Sequence, residues 1–304
     1  MNRGWPIVAV AVLALVVPVA ALAEGGNLRY SIAVTKFENE AGWRGQWDIG
    51  SAWDTVLTDM LNQSGKFIVL GESDMRAAAM DEQDFAASGR TAGGKKAPVT
   101  GQMTPGQLLV KGSITHVQDG TKSGAGGFRI KGFKIGGKGA QSEVNVTVYV
   151  VDSTTGQVVA STNVVGVSKK KGADFAYNTG DWGTAFGGEK NDNVGLAVQD
   201  ACANAVDFLI SQLPNVAWTG SVIMVKGDKV YVNRGVREGV ATGQRFQVGE
   251  VEVLRDPDTG EVLDESMTQI ATLACDQVKE KLSICSVETG NAAGVTKGMT
   301  VHLP

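Results

Sequence analysis

A chain of 304 residues with 28 basic and 32 acidic side chains carries a formal charge of −4, and its length is that of about two ordinary domains. With 43 % apolar and 20 % charged residues it has the composition of a packed globular protein, which excludes wholesale disorder. A pI near 5.4 lacks the basic footprint of a nucleic-acid binder, and two histidines with three cysteines leave few ligands for a zinc site.

Residues 1–23 read as an export signal. Arg3 supplies a positive start, residues 7–17 an apolar run too short to cross a bilayer, and Ala21-Leu22-Ala23 the small residues that precede cleavage before Glu24. No cysteine lies there to take a lipid, so the expected product is exported to the periplasm or outer membrane without an N-terminal lipid anchor. No later run reads as a spanning helix.

The mature chain divides into 24–213 and 220–304. In the first part, 28–37 is strand-forming and leads into a polar loop, 38–48, that carries Trp43, Arg44 and Trp47. A helix is expected over 49–63, with Asp48 as its N-cap and Ile49, Trp53, Val56 and Met60 on one face. A strand over 66–70, a helix over 73–87 ended by Gly89, a polar loop over 90–107 and a strand over 108–117 follow. Runs 143–151 and 157–167 form a hairpin around Asp152-Ser-Thr-Thr-Gly156. The clearest helix spans 193–213 and ends at Pro214: Val194, Val198, Cys202, Ala205 and Leu209 share one face, while Asp200, Asn204, Asp207 and Ser211 share the other. Cys202 there reads as a small core residue. The expected order is βαβαβββα, an α+β sandwich with helices on one side of a sheet.

From Gly220 onward no helical period survives. Short strands over 222–225, 229–233, 245–253, 269–275 and 282–287, set apart by turn residues such as Arg255-Asp-Pro-Asp-Thr-Gly260, fit a small all-β barrel-like or sandwich domain. Cys275 and Cys285 stand ten residues apart on two strands around the charged stretch 276–281. That spacing is open to a cross-strand disulfide in an oxidising compartment or to two buried thiols.

Motifs for catalysis fail. Gly89–Lys95 matches the start of a phosphate loop, but Lys96 stands where Ser or Thr should hold magnesium, and a helix precedes it where a strand is needed. His116 and His302 have no nucleophile or metal-ligand spacing around them. No enzyme activity and no cofactor is expected.

The informative stretch is 123–177. Phe128 and Ile130 alternate with Arg129 and Lys131, and after Gly132 the parity flips to Phe133 and Ile135. The return arm puts Val165, Val167, Ala173, Phe175 and Tyr177 on one face, interrupted by Lys169 and Lys171. Alternation of this kind marks a membrane-facing β-strand, and equally an amphipathic hairpin in water.

The run 109–162, LLVKGSITHVQDGTKSGAGGFRIKGFKIGGKGAQSEVNVTVYVVDSTTGQVVAST, resembles the curli secretion channel family, the CsgG-type proteins. The resemblance rests on Val110-Lys-Gly-Ser-Ile114, the glycine-rich 123–139 and the hairpin 144–161, and it extends over about 28–213. It implies a periplasmic α/β domain that forms a homo-oligomeric ring. Each subunit would lend two hairpins, at about 125–150 and 160–190, to one shared outer-membrane β-barrel for exported protein cargo. The family narrows its channel at the loop after the first strand, here the place of Trp43, Arg44 and Trp47, although the family's tyrosine–asparagine–phenylalanine pattern is not matched position by position. These tryptophans could equally pack a subunit interface or cover the sheet. Curli-type members also carry a lipidated N-terminal cysteine that is missing here, and 220–304 lies outside their channel. The run 230–248 resembles instead the C-terminal β-module of flagellar outer-ring proteins, a module of assembly contacts. Two expectations follow: an outer-membrane secretion channel, or a soluble periplasmic collar bracing a flagellar, pilus or envelope machine without a pore. Nucleic acid is not an expected partner.

Overall fold

The computed structural model describes residues 28–95, 97–120, 141–168, 193–216 and 218–304. The expected export signal, 1–23, lies outside them, as do the segments 121–140 and 169–192 that hold Phe128, Ile130, Phe133, Ile135, Phe175 and Tyr177.

The first domain is built on β1 (Tyr30–Val34), β2 (Glu38–Asn39), β3 (Phe67–Val69), β4 (Leu108–Gln118), β5 (Glu143–Asp152) and β6 (Val158–Val167). Its sheet runs β3-β1-β4-β5-β6, parallel through the first three and antiparallel through the last three. The two-residue β2, absent from the sequence expectation, pairs alongside β4 at Ser113 and Ile114. Strict alternation makes β5 one-sided: Val144, Val146, Val148 and Val150 are buried, while Asn145, Thr147 and Tyr149 face away. At the β5–β6 turn the Asp152 carboxylate accepts the N–H groups of Thr154 and Thr155, and Gly156 takes the left-handed φ of 74°.

Helices α1 (Ile49–Ser64) and α3 (Asn193–Gln212) cover the valine face. Asp48 caps α1 as expected, its carboxylate accepting the Ser51 N–H at 2.6 Å. Ile49, Trp53, Val56, Leu57, Met60 and Leu61 are buried beneath α1, each large one worth about 1.5–3 kcal/mol of transfer free energy. On α3 the apolar stripe holds all five expected residues and adds Ala197, Ala201 and Val206. It lies so close to β6 that a Cβ on Gly166 would stand 2.0 Å from the Ala197 carbonyl oxygen, so only glycine fits.

On the opposite face of α3, Asp200 accepts the Val167 N–H and Asn204 donates to the Val165 carbonyl, each at 2.9 Å, and the two so cover part of the free edge of β6. One expectation needs correction here. The segment Asn193–Asn215 does have the length and apolarity of a membrane-crossing helix. Its stripe is packed into this core instead. By contrast α2 (Ser73–Ala87) sits where the sequence places it but buries no residue, and Met75, Met80 and Phe85 are exposed.

The second domain is β7 (Thr219–Lys226), β8 (Lys229–Val232), β9 (Arg245–Arg255), β10 (Val262–Val278), β11 (Ser283–Gly290) and β12 (Thr300–His302). These six close into an antiparallel barrel in the order β10-β11-β8-β7-β12-β9. Phe246, Val248, Leu273, Val232 and Val301 fill it. The sequence expectation missed β12 and gave β10 only seven of its 17 residues. The turn after β10 is also shorter than the charged stretch 276–281, because the strand continues to Val278 and the Lys279 N–H closes the turn on Leu282.

The two domains share one apolar core, from Tyr30 and Leu28 through Trp218 to Phe246. Trp218 stacks on Phe246 with centroids 5.1 Å apart, and Tyr30 donates to the Val216 carbonyl at 2.7 Å. The Glu238 carbonyl accepts the Arg29 N–H, while Arg237 pairs with the buried Glu238 carboxylate and reaches Thr104.

Candidate functional site

The first strand ends at one end of the sheet, and the loop that follows is tied down at four points. Pairing of β2 with β4 holds its start, and the Ala41 N–H donates to the Ile114 carbonyl. Asn39 clamps the turn by donating to the Trp43 carbonyl at 2.8 Å and accepting the Trp43 N–H at 3.3 Å. Asp48 closes the far end as the cap of α1. Before the loop, the Phe37 N–H donates to Asp54 at 3.1 Å.

Trp43 and Trp47 come together, with ring centroids 4.7 Å apart and planes tilted by 57°. Both are half-buried against the core, and Arg44, Gly45 and Gln46 between them are exposed. The tryptophans therefore pack against the core while keeping part of their surface exposed.

Asp54 was not singled out from the sequence. It is 6 % exposed on the inner side of α1. Burial, helped by the like charge of Glu72 and opposed by the hydrogen bond from Phe37, raises its carboxyl to about 7. The loop's anchor is thus an acid that titrates near neutrality.

The same end of the sheet holds the ends of four elements: β4 stops at Gln118, β5 starts at Glu143, β6 stops at Val167 and α3 starts at Asn193. Residues flanking 121–140 and 169–192 are joined there by two buried serines. Ser168 Oγ accepts the Ser142 N–H at 2.7 Å, the Ser142 carbonyl accepts the Ser168 N–H at 2.9 Å, and Ser142 Oγ accepts the Gly120 N–H at 2.9 Å. Gly120, Ser142 and Ser168, which flank the two segments, thus lie side by side. Of the expected hairpins, residues 143–150 and 160–167 are strands of the central sheet itself.

Cys275 and Cys285 face each other across β10 and β11, with sulfurs 3.1 Å apart and both side chains inside the barrel. The Cys275 N–H and carbonyl both bond to the 243–244 corner. The cysteine pair is therefore a non-hydrogen-bonded one, where side chains approach most closely. Cys202 is fully buried in the first domain, and burial pushes its thiol well up.

His116 lies on β4 and His302 on β12, in different domains. Among the described residues no three His, Cys, Asp or Glu side chains are grouped to hold a metal. The stretch that imitated a phosphate loop follows α2 and reaches β4 without a further helix.

Residues 19–244 match the family described as the curli production assembly/transport component CsgG. No curated protein matches the chain. Among solved structures it is similar to the PelC dodecamer from Paraburkholderia phytofirmans, at 13 % identity over 59 % of this chain and 86 % of that one, with a TM-score of 0.30. The hypothetical protein CT253 from Chlamydia trachomatis is 14 % identical over 60 % of this chain and 96 % of its own, with a TM-score of 0.36. Lipoprotein GNA1162 from Neisseria meningitidis is 17 % identical over 62 % and 99 %, with a TM-score of 0.25.

Proposed function

The chain belongs to the CsgG family of curli production assembly/transport components, and from that premise we propose that it is an exported, ring-forming protein of the outer membrane. Identical subunits surround a lumen, and segments 121–140 and 169–192 build a shared β-barrel that only the full ring can close. The lumen passes or anchors exported protein by its width and lining, with no catalytic step and no cofactor. What carries this reading is the placement of the segments' flanking residues: both leave from adjacent strand ends, tied by Ser142 and Ser168. The tryptophan loop follows β1 at that same end, which supports reading Trp43, Arg44 and Trp47 as the lining of a narrowing.

A second reading, a soluble collar bracing an envelope machine, draws on the barrel. The family match stops at residue 244, so most of that domain is an addition to it. Electron microscopy of the mature chain in mild detergent and in plain buffer separates the two. Rings wearing a detergent belt are the expected outcome, and rings that form equally well without detergent would make the protein a collar. A chain that stays monomeric in both would overturn the ring. In an oxidising periplasm we further propose that Cys275 and Cys285 join as a disulfide, giving two electrons and two protons to a thiol oxidant of that compartment.

A further inference from the structure

The β9–β10 hairpin does not end with the barrel. On the inner side of β9, Phe246 and Val248 are buried, but Glu250 and Glu252, next on that side, are exposed. The change falls at Gly249, where a Cβ would stand 2.2 Å from the Thr268 carbonyl oxygen across the ladder. Beyond it the strands stay paired from Glu250↔Thr268 to Val262↔Arg255. Six residues at ~3.3 Å each make an arm of about 20 Å. It has two unlike faces. One carries Glu250, Glu252 and Asp264 beside Leu254, and the other Val251, Val253 and Met267 beside Glu265 and Arg255. Leu254 and Leu263 near its tip are 60 % and 58 % exposed.

A paired sheet with apolar side chains left exposed among the described residues is built to be covered. Charge says by what. Residues 250–269 hold seven carboxylates and one base, Arg255, so the arm's charge of −6 exceeds the −4 of the whole chain. Among the described residues none of these carboxylates is in an ion pair. The matching charge lies in the other domain. The longest stretch of the chain without a carboxylate side chain, 85–118, holds Arg90, Lys95, Lys96 and Lys111. Arg90, Lys95 and Lys111 are exposed and likewise in no ion pair. Each copy thus displays an acidic arm on one domain and a basic stretch on the other, unpaired with each other.

We propose that the β9–β10 arm docks on the basic 85–118 stretch of a second copy, with Arg90 and Lys95 as its first partners. Two different surfaces then meet, which makes the contact head-to-tail, the type that closes into rings. The inference rests on the ring proposed above and names one of its contacts. Surface carboxylates steer such an encounter and set its salt dependence, while Leu254, on the same face as Glu250, Glu252 and Asp264, is covered in it.

The test is the assembly state of the mature full chain by sedimentation in mild detergent, at low and high salt. The reversal Glu250→Lys, Glu252→Lys, Asp264→Lys is expected to raise the half-assembly concentration at least tenfold. Adding Arg90→Glu and Lys95→Glu to that same chain should restore assembly. Because all five side chains are exposed, the thermal melt of each variant should match wild type. If a variant misfolds, carbodiimide coupling of mixed isotope-labelled wild-type chains gives the same answer, as a bond between an arm carboxylate and Lys95 of a differently labelled copy. Assembly unaffected by arm reversal overturns the docking and leaves the ring standing. Loss without restoration overturns the 85–118 stretch as the receiver, and a wild type that never assembles overturns ring and docking together.

Discussion

The N-terminal sheet buries one face under α1 and α3 and leaves the other, with Tyr149 and Val165, open to solvent. The six C-terminal strands close on themselves and bury an interior without an α-helix among the described residues. An open sheet has a bare face, two edges and, here, two segments leaving one end. A closed barrel has no edges and can present only what it extends outward, which is the β9–β10 arm. In the proposed ring, assembly elements would therefore arise by different means in the two halves: from incompletion in the first, and from extension in the second.

The largest expected effects test whether these halves are separable. Trp53 and Phe246 are large aromatic fillers in the two halves of the shared core. Truncating either to alanine should cost about 3–5 kcal/mol. Because one apolar cluster joins the domains, either variant should shift a single denaturant transition read by both circular dichroism and tryptophan fluorescence. Two transitions, only one of which moves, would break that continuity.

The next prediction belongs to the open half alone. Burial raises Asp54 from 3.8 to about 7. Between those pH values the folded chain holds a proton that the unfolded chain has released, so stability falls as pH rises through the window. The slope amounts to as much as ~4 kcal/mol across it. Asp54→Asn keeps an oxygen for the Phe37 N–H and removes the charge, so its stability should be flat where wild type declines. Melts of both proteins from acid to neutral pH check this, and a wild type that holds its stability constant would refute it.

The barrel has its own counterpart. Closing the loop between Cys275 and Cys285 should stabilise it by about 2–3 kcal/mol. Non-reducing mass analysis should find the two joined and Cys202 free, and reductant should lower the melting temperature of wild type but not of Cys285→Ser. Two free thiols in exported protein would remove the pairing. The smallest effect sharpens the reading of the tryptophan loop. Asp48→Ala removes the cap on which the loop ends, at about 1 kcal/mol, and should loosen hydrogen-exchange protection at Ser51 without moving that of β5.

Much of this was legible in the residues. Helix α1 with its Asp48 cap, α2, the β5–β6 hairpin and the stripe of α3 lie within a residue or so of where periodicity places them. Local patterns suffice there because caps, turns and alternation act through neighbours in the chain. The candidate site was legible only in part. Trp43, Arg44 and Trp47 stand out as aromatic and basic residues in a polar loop, whereas Asp54, Ser142 and Ser168 look like ordinary surface polar residues. Asp54 meets Phe37 across 17 positions and Ser142 meets Ser168 across 26, and no local pattern reports a partner at that range. The arm was missed for a related reason. Glu250 and Glu252 alternate with Val251 and Val253 as in any half-exposed strand, and only closure of the barrel shows that the alternation continues past its rim.

By itself, then, the sequence determined the α+β order, the turns and caps, the family likeness and the unequal distribution of charge along the chain. Those are properties of short windows, where each side chain's preference for water or for a backbone shape is expressed against its immediate neighbours. The tertiary structure alone decided that α3 packs down on Gly166, that two buried serines tie the ends of distant segments together, that six short strands close without an edge, and that β9 and β10 run on past the barrel. Each of these joins groups far apart in the chain, and burial, which rewards whichever apolar faces can meet, is settled only when the whole chain has found its packing.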